Sequence, residues 1–231
     1  MKRDGRKIVG VVIYDYQMAQ IVDRAGVDIV SVGDSVGINM WGQAADSDIT
    51  VEQMLLACTA VTRGVTRAIV SCDVPGGVQD VVAAARTLAG GGAAMVKIEG
   101  NAPTIRAVVD AGVPVWAQIS GQRSGSGHDV ATVVREAQAL EAAGAALIDF
   151  RHSGSVAGAA VAEAVSIPVI GGLGGGPWLD GRVRAVGNAI GYTAAALDDN
   201  AERYANVSRI ALDAINAYAD DVRGGRQVRG K

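Results

Sequence analysis

Four charged residues stand where apolar, strand-like runs of the sequence end. Asp34 follows the second run, Asp73 closes the third, and the fourth carries Lys97 and Glu99, two residues apart. Residues spaced by two on a strand project from the same face, so Lys97 and Glu99 would point the same way. Burying these charges without partners would be costly, and a cation bound by the carboxylates would offset that cost. Because Mg²⁺ and similar divalent ions prefer oxygen ligands, we expect Asp34, Asp73 and Glu99 to bind one.

Each of these residues also has a purely structural interpretation. Asp34 could cap a helix, Asp73 could belong to an ordinary turn before Val-Pro, and Lys97 and Glu99 could form a structural ion pair. Their coincidence at successive strand ends favours a functional site, because the active site of a parallel barrel lies at the carboxyl ends of its strands.

The elements that would position these residues alternate between short β-rich runs and amphipathic helical stretches. This alternation predicts βα units around a parallel sheet, and continuous apolar runs predict strands that are covered on both faces. The predicted strands are Lys7–Tyr14, Asp28–Gly33, Ala68–Asp73, Met95–Gly100, Pro114–Ile119, Ala146–Arg151, Pro168–Leu173 and, with the weakest pattern, Ala185–Tyr192.

Seven helices are predicted between and after the strands. Thr50 is the expected N-cap of the second, and Gly26, Gly64, Gly112 and Gly144 are expected to end four of them. The predicted helices are Tyr16–Ala25, Val51–Arg63, Val78–Leu88, Thr104–Ala111, Asp129–Ala143, Val156–Ala164 and Asn200–Val222. Such repeated units predict an α/β fold of the (β/α)₈ TIM-barrel class, one domain over residues 1–231 with a C-terminal amphipathic helix. The alternative is a doubly wound sheet, which would bind its ligand where the strand order reverses.

Composition narrows the classes of partner. The chain has 231 residues, a net charge of −3 and no basic stripe, so we expect no nucleic-acid partner. The apolar run 8–13 is too short for a signal peptide or a membrane span. Cys58 and Cys72 lie far apart in sequence without a CxxC motif, and we expect two reduced thiols, no zinc site and a cytoplasmic protein.

Several segments together resemble the ketopantoate hydroxymethyltransferase family, a branch of the phosphoenolpyruvate mutase and isocitrate lyase superfamily of barrels. They are YDYQMAQIVDRAGVDIVSVGDSVG, ITVEQML, CDVPGG, VKIEG and SIPVIGGLGGGPWLDGRV. The resemblance covers nearly the whole chain and extends into the tail AERYANVSRIALDAINAYADDVRGG. It implies transfer of a one-carbon unit from methylenetetrahydrofolate to the carbon beside the ketone of a small 2-oxo acid, through a metal-stabilised enolate, in a homo-oligomer.

The resemblance also assigns roles to individual residues. Asp34 and Asp73 match magnesium ligands, and Glu99 matches an acid that supports the metal from nearby. Ser35 matches a contact to the substrate carboxylate, and Lys97 matches a lysine close to the substrate. Positive charge on Lys97 would stabilise the negative charge that develops on an enolate.

Two departures from the family pattern concern proton transfer. Gln118 stands where the family's fifth strand delivers a histidine, and Arg151 stands where the sixth delivers the glutamate that acts as base. Arginine is not deprotonated in proteins and cannot serve as a base. We therefore expect ordinary ketopantoate synthesis to be weak or absent, and the use of methylenetetrahydrofolate is open. His128 and His152, the two histidines of the sequence, are candidate replacements that could equally be surface residues.

Arg151 suggests an alternative substrate. Its guanidinium would enter a cavity that already holds Lys97 and a divalent cation, so we expect a second acidic group on the substrate, a carboxylate or a phosphate, as its partner. The structural alternative is an ion pair with Asp149, two residues earlier on the same strand. The remaining functional alternative is a non-catalytic barrel that binds a metabolite.

Overall fold

The computed structural model describes residues 2–119, 129–172 and 175–226 of the chain. By its internal contacts, the chain divides into two compact units, Met1–Arg184 and Ala185–Lys231. The first unit contains the strands up to residue 184, and the second contains the C-terminal helices. The prediction of one domain over residues 1–231 stays a prediction.

Eight strands close into a barrel in chain order, and each is parallel to the next along the chain. This confirms the predicted (β/α)₈ class. The strands are β1 (Ile8–Ile13), β2 (Ile29–Val32), β3 (Ile69–Asp73), β4 (Met95–Glu99), β5 (Val115–Gln118), β6 (Leu147–Asp149), β7 (Val169–Gly171) and β8 (Gly181–Ala185).

Helices alternate with the strands along the chain, as the amphipathic stretches predict. They are α1 (Tyr16–Arg24), α2 (Val36–Trp41), α3 (Val51–Gly64), α4 (Val81–Gly90), α5 (Ala102–Asp110), α6 (Val130–Ala142), α7 (Ser155–Ala164), α8 (Val186–Ile190) and α9 (Val207–Arg223). The predicted cap Thr50 accepts a hydrogen bond from the backbone N–H of Gln53 at the start of α3. None of the described helices is long and apolar enough to cross a membrane.

The predicted eighth strand, 185–192, is wrong, because most of that stretch is helix α8. The true β8 begins at Gly181 and alternates apolar Val183 with exposed Arg182 and Arg184, so it lacks the continuous apolar run that marks the other strands. The following apolar run instead forms a short helix that ends at Gly191 in the left-handed conformation.

Apolar side chains fill the barrel interior below the strand ends. The interior cluster consists of Ile8, Ile29, Met95, Trp116, Leu147, Ile170 and Val183. In the strand register, Ser71 pairs with Met95. Asp73 pairs with Lys97, two residues closer to the carboxyl ends of the strands. The apolar layer therefore supports the charged residues from below.

The first and last strands meet through a very close backbone approach. The Ile8 N–H donates to the Asp180 carbonyl at 2.9 Å. A Cβ atom added at Gly181 would lie 2.1 Å from the carbonyl oxygen of Ile8. Only glycine leaves enough space for this contact.

The carboxylate of Asp23, near the end of α1, anchors the loop that leads into β3. It accepts hydrogen bonds from the backbone N–H groups of Thr66, Arg67 and Ala68 and from the Thr66 hydroxyl, at 2.8–3.1 Å. Because these hydrogen bonds favour the charged form, the pKa of Asp23 is lowered to about 2.

The second unit consists of α8, a 3₁₀ turn at Ala194–Leu197 and α9. Asn206 joins the last two, since its side-chain oxygen caps α9 at Arg209 and its amide donates to the Ala196 carbonyl at 2.9 Å. Helix α9 therefore begins at Val207, later than the predicted start at residue 200. None of its side chains is buried.

Candidate active site

A polar pocket opens at the carboxyl ends of the barrel strands, and we call it the mouth pocket. Its charged and polar lining comes from β2 through β6, and a glycine-rich loop at 74–78 after β3 forms much of the remaining wall. The polar lining residues are Asp34, Asp73, Lys97, Glu99, Gln118 and Arg151. Six of the seven predicted site residues thus line one cavity, in the place where barrel enzymes carry their active sites.

Lys97 and Asp73 form an ion pair at the base of this pocket. The Lys97 Nζ lies 2.9 Å from Asp73 Oδ2 and 3.8 Å from Asp149 Oδ2. The Ser31 hydroxyl donates to the other oxygen of Asp73 at 3.4 Å. Burial alone would lower the pKa of Lys97, but the charges of Asp73 and Asp149 outweigh it and raise that pKa above its ordinary value. Lys97 therefore stays positively charged at ordinary pH and is not a base.

Asp34 follows β2 and lies close to Asp73. Burial and the negative charge of Asp73 raise the pKa of Asp34 to about 6, while the charge of Lys97 opposes the shift. Two neighbouring carboxylates with only one ammonium between them are undercompensated, and a divalent cation would relieve that repulsion. The donor chemistry of this pair fits a hard cation such as Mg²⁺.

The predicted metal residue Glu99 lies apart from this pair. Its Oε2 accepts a hydrogen bond of 3.4 Å from the Gln118 side-chain amide. Within residues 2–119, 129–172 and 175–226, no three His, Cys, Asp or Glu side chains form a group that could enclose a metal ion. Asp34 and Asp73 could supply two ligands to an ion that keeps several waters, which is how Mg²⁺ is usually bound. Glu99 as a metal ligand stays a prediction.

Ser35 is the one predicted residue outside the pocket lining. Its Oγ lies 2.9 Å from the Tyr14 hydroxyl, which in turn accepts a hydrogen bond from Asn39 Nδ2 at 3.2 Å. Burial raises the pKa of Tyr14, so it stays a neutral hydroxyl at ordinary pH. Asn39 also donates to the Ser35 carbonyl at 2.8 Å, which fixes this edge of the site.

Arg151 follows β6 and lines the mouth pocket, as predicted. Asp149 is 1% exposed, and its ion pair is with Lys97. The charge of Arg151 opposes the rise in the pKa of Asp149, so neutralisation of Arg151 by Asp149 stays a prediction, but the described residues include no direct ion pair between the two. The physical reason is that Lys97 on β4 already reaches across the barrel interior to Asp149.

The two histidines, His152 and His128, are the candidate bases. His152 is exposed and is the sole described non-glycine residue with a positive φ, 49°. His128, with the loop 120–127, lies outside the described residues. Cys72 is buried, and its sulfur lies 4.0 Å from the Met54 carbonyl on α3, consistent with packing and away from the pocket.

Sequence reasoning missed two features of the site. Asn39 lies on α2, a helix too short for its periodicity to be recognised, and the Ser35–Tyr14–Asn39 hydrogen bonds had no sequence signal. The partner of Asp149 was also missed, because spacing along one strand says nothing about which side chain crosses the barrel.

The chain matches known proteins over nearly its full length. The family model described as ketopantoate hydroxymethyltransferase matches residues 1–227. A 3-methyl-2-oxobutanoate hydroxymethyltransferase of Thermoanaerobacter sp. (strain X514) is 33% identical, over 96% of this chain and 88% of the relative. The enzyme of the same name from Hyperthermus butylicus is 35% identical, over 97% of this chain and 84% of the relative.

Solved structures of the phosphoenolpyruvate mutase and isocitrate lyase superfamily share the fold. A 2,3-dimethylmalate lyase superposes with a TM-score of 0.69 at 17% identity, covering 100% of this chain and 87% of that one. A phosphonopyruvate hydrolase in complex with oxalate and Mg²⁺ gives a TM-score of 0.68 at 16% identity, covering 97% and 85%. With the family match over residues 1–227, the chain belongs to the ketopantoate hydroxymethyltransferase family of enzymes.

Proposed function

We propose that the protein is an Mg²⁺-dependent transferase or lyase that forms an enolate from a small 2-oxo acid and uses it in aldol-type carbon–carbon chemistry. The observation that carries the proposal is the mouth pocket, in which the Asp34–Asp73 pair faces a cation, Lys97, held at its base. The relatives' printed name, 3-methyl-2-oxobutanoate hydroxymethyltransferase, supplies the substrate class. The complex of a superfamily neighbour with oxalate and Mg²⁺ supports a divalent cation.

The residues of the pocket, and Ser35 beside it, would have different roles. Asp34 and Asp73 would hold the divalent cation, with Glu99 acting from nearby. A bound divalent cation supplies Lewis-acid stabilisation of negative charge on the 2-oxo and carboxylate oxygens. Lys97 would add a second, permanent positive charge beside the oxygen on which the enolate charge develops. Ser35, held by Tyr14, would orient the substrate carboxylate.

The proton acceptor differs from that of the family pattern. Enolate formation would transfer the proton on the carbon next to the ketone to a water molecule or to a carboxylate of the pocket, and would leave its electron pair delocalised onto the ketone oxygen. Gln118 and Arg151 cannot accept that proton, since an amide and a guanidinium are not bases. Enolate formation and transfer of the one-carbon unit from methylenetetrahydrofolate are therefore tested by separate measurements.

Proton NMR in D₂O tests enolate formation directly. With 3-methyl-2-oxobutanoate and Mg²⁺, we expect enzyme-dependent loss of the signal of the hydrogen on carbon 3. Asp34→Ala should abolish the exchange, because a buried carboxylate at the cation site is removed, and circular dichroism should show that its fold is intact. An exchange rate that is unchanged in Asp34→Ala, or that is unchanged when Mg²⁺ is removed by a chelator, would contradict the proposed role of the metal ion.

A family-like rate of ketopantoate formation with methylenetetrahydrofolate would show that the replacements at Gln118 and Arg151 matter little. We expect that rate to be low or zero. Exchange without hydroxymethyl transfer would fit an enzyme of the family whose enolate attacks an electrophile other than methylenetetrahydrofolate.

Arg151 favours a second candidate, a substrate with a second acidic group. Its guanidinium lines the pocket and forms no direct ion pair within the described residues, although its charge interacts with that of Asp149. A guanidinium binds a carboxylate or phosphate through two parallel hydrogen bonds, so a diacidic or phosphorylated 2-oxo acid fits this place. Binding titrations with mono- and diacidic 2-oxo acids separate this candidate from the first.

We also propose a homo-oligomer. Helix α9 exposes four large apolar side chains, Ile210, Ile215, Tyr218 and Val222. Such apolar surface is typical of an interface between protein chains. Light scattering coupled to size-exclusion chromatography should give a mass that is a multiple of 23.5 kDa, and a monomer at micromolar concentration would contradict the proposal.

A further inference from the structure

Lys97, on β4, lies near two carboxylates, one on the neighbouring strand β3 and one on β6, two strands away. Asp73, on β3, is 2.9 Å from the Lys97 Nζ, and Asp149, on β6, is 3.8 Å away. The Trp116 ring, on β5, lies with its centroid 5.5 Å from the same nitrogen. The ammonium therefore forms a close ion pair with Asp73 and a longer one with Asp149, and it lies over an aromatic face.

Asp149 has an unused acceptor. Its side chain is 1% exposed, and its Oδ1 has no hydrogen-bond partner among the described residues. Burial raises the pKa of this carboxyl, although Lys97 and Arg151 oppose the shift. A buried carboxylate oxygen without a donor is unfavourable, so Asp149 would gain from a closer approach of a cation.

A cation held by Asp34 and Asp73 conflicts with the present position of Lys97. The ammonium lies 2.9 Å from Asp73 Oδ2, on a carboxylate that would hold the ion, and two positive charges at neighbouring positions repel each other. Lys97 can leave Asp73 without leaving the barrel interior, because a displacement on the order of 1 Å brings it to hydrogen-bond distance from Asp149.

We propose that Lys97 exchanges its partner from Asp73 to Asp149 when a divalent cation binds, and that Asp149 is the positioning residue that accepts it. This rests on the proposed divalent-cation site at Asp34 and Asp73. The exchange frees Asp73 for the ion, keeps the ammonium over Trp116, and leaves its charge at the base of the pocket. Asp149 acts through Lys97 and needs no contact with substrate, which agrees with its absence from the pocket lining.

Titration calorimetry with Mn²⁺ on four proteins tests the exchange: the wild type, Asp149→Asn, Lys97→Gln and the double variant. We expect Asp149→Asn to weaken Mn²⁺ binding on the order of tenfold, because the displaced ammonium has no acceptor. In the Lys97→Gln background, where no ammonium must move, Asp149→Asn should change the affinity little. The Lys97→Gln pair of proteins is thus the matched control for the charge of Asp149 itself.

The calorimetry distinguishes failure of the proposed cation site from failure of the exchange alone. Absence of Mn²⁺ binding to the wild type would overturn the proposed cation site and the exchange with it. Binding by the wild type with an equal affinity in Asp149→Asn, or with the same loss in both backgrounds, would overturn the exchange alone.

A second measurement does not depend on the folding of Asp149→Asn. In a crystal structure of the wild type with Mn²⁺, we expect the Lys97 Nζ within hydrogen-bond distance of Asp149 and no longer in contact with Asp73. An unmoved Lys97 with Mn²⁺ bound would overturn the proposal.

Discussion

Arg151 is a guanidinium in a pocket whose other cation, Lys97, already has two carboxylate partners. If it binds a second acidic group, Arg151→Gln should lower affinity for a diacidic 2-oxo acid by about 2–5 kcal/mol, because a charge-assisted pair is lost. Affinity for a monoacidic analogue should change far less. Arg151→Lys should rescue poorly, since an ammonium lacks the planar fork of donors.

Binding titrations measure the affinity for diacidic and monoacidic 2-oxo acids. They are carried out on the wild type, Arg151→Gln and Arg151→Lys. The same preference between the classes in all three proteins would assign Arg151 a structural role only.

At this scale, residue type and spacing were enough to predict which charges share the mouth pocket. Asp34, Asp73, Lys97 and Glu99 lie at or near the carboxyl ends of their strands, and parallel strands end on the same side of a barrel. Spacing was not enough to predict pairing. Asp149 turns to Lys97 and not to Arg151, because side chains of a closed barrel meet across its interior.

Among the elements, α1 and the loop before β3 depend on the Asp23 carboxylate. Asp23→Asn should lower the free energy of unfolding at pH 7 by about 2–3 kcal/mol, because charge-assisted hydrogen bonds to three backbone N–H groups are weakened. The pKa of Asp23, about 2 in the folded state, is below its ordinary value of 3.8. This group's contribution to stability is therefore full above about pH 4 and is lost as the pH falls towards 2.

Urea unfolding at several pH values checks both statements. Asp110→Asn, an exposed aspartate at the end of α5, serves as control and should change stability little. An Asp23→Asn variant with the stability and acid sensitivity of wild type would contradict the anchoring role.

Apolar patterns in the sequence predicted some strands and helices well and others not at all. Strands with continuous apolar runs, such as β2, were predicted well because both of their faces are covered. β8 was misplaced, since it alternates Val183 with exposed arginines and its neighbour α8 is the more apolar segment. The short helix α2 was not predicted, because six residues carry less than two turns of periodicity.

The whole barrel closes through Gly181. Gly181→Ala should destabilise the protein by about 3 kcal/mol or more, because the new Cβ would lie 2.1 Å from the Ile8 carbonyl oxygen and one strand would have to move. Gly90→Ala is the matched control, since a Cβ there meets nothing within 4 Å and alanine favours the helix. Chemical denaturation of both variants gives the comparison, and equal stability of the two would contradict a tight closure.

The hydrogen bond from Ile8 to Asp180 joins residues from opposite ends of the barrel sequence. During synthesis, β1 leaves the ribosome long before its neighbour β8 exists. At about 5–20 residues per second, one edge of the nascent β1 waits on the order of ten to thirty seconds for its partner. An unpaired strand edge invites pairing with other chains. Translation speed between residues 14 and 180, or a chaperone that binds extended apolar segments, should therefore influence how much of this protein reaches its native state in a cell.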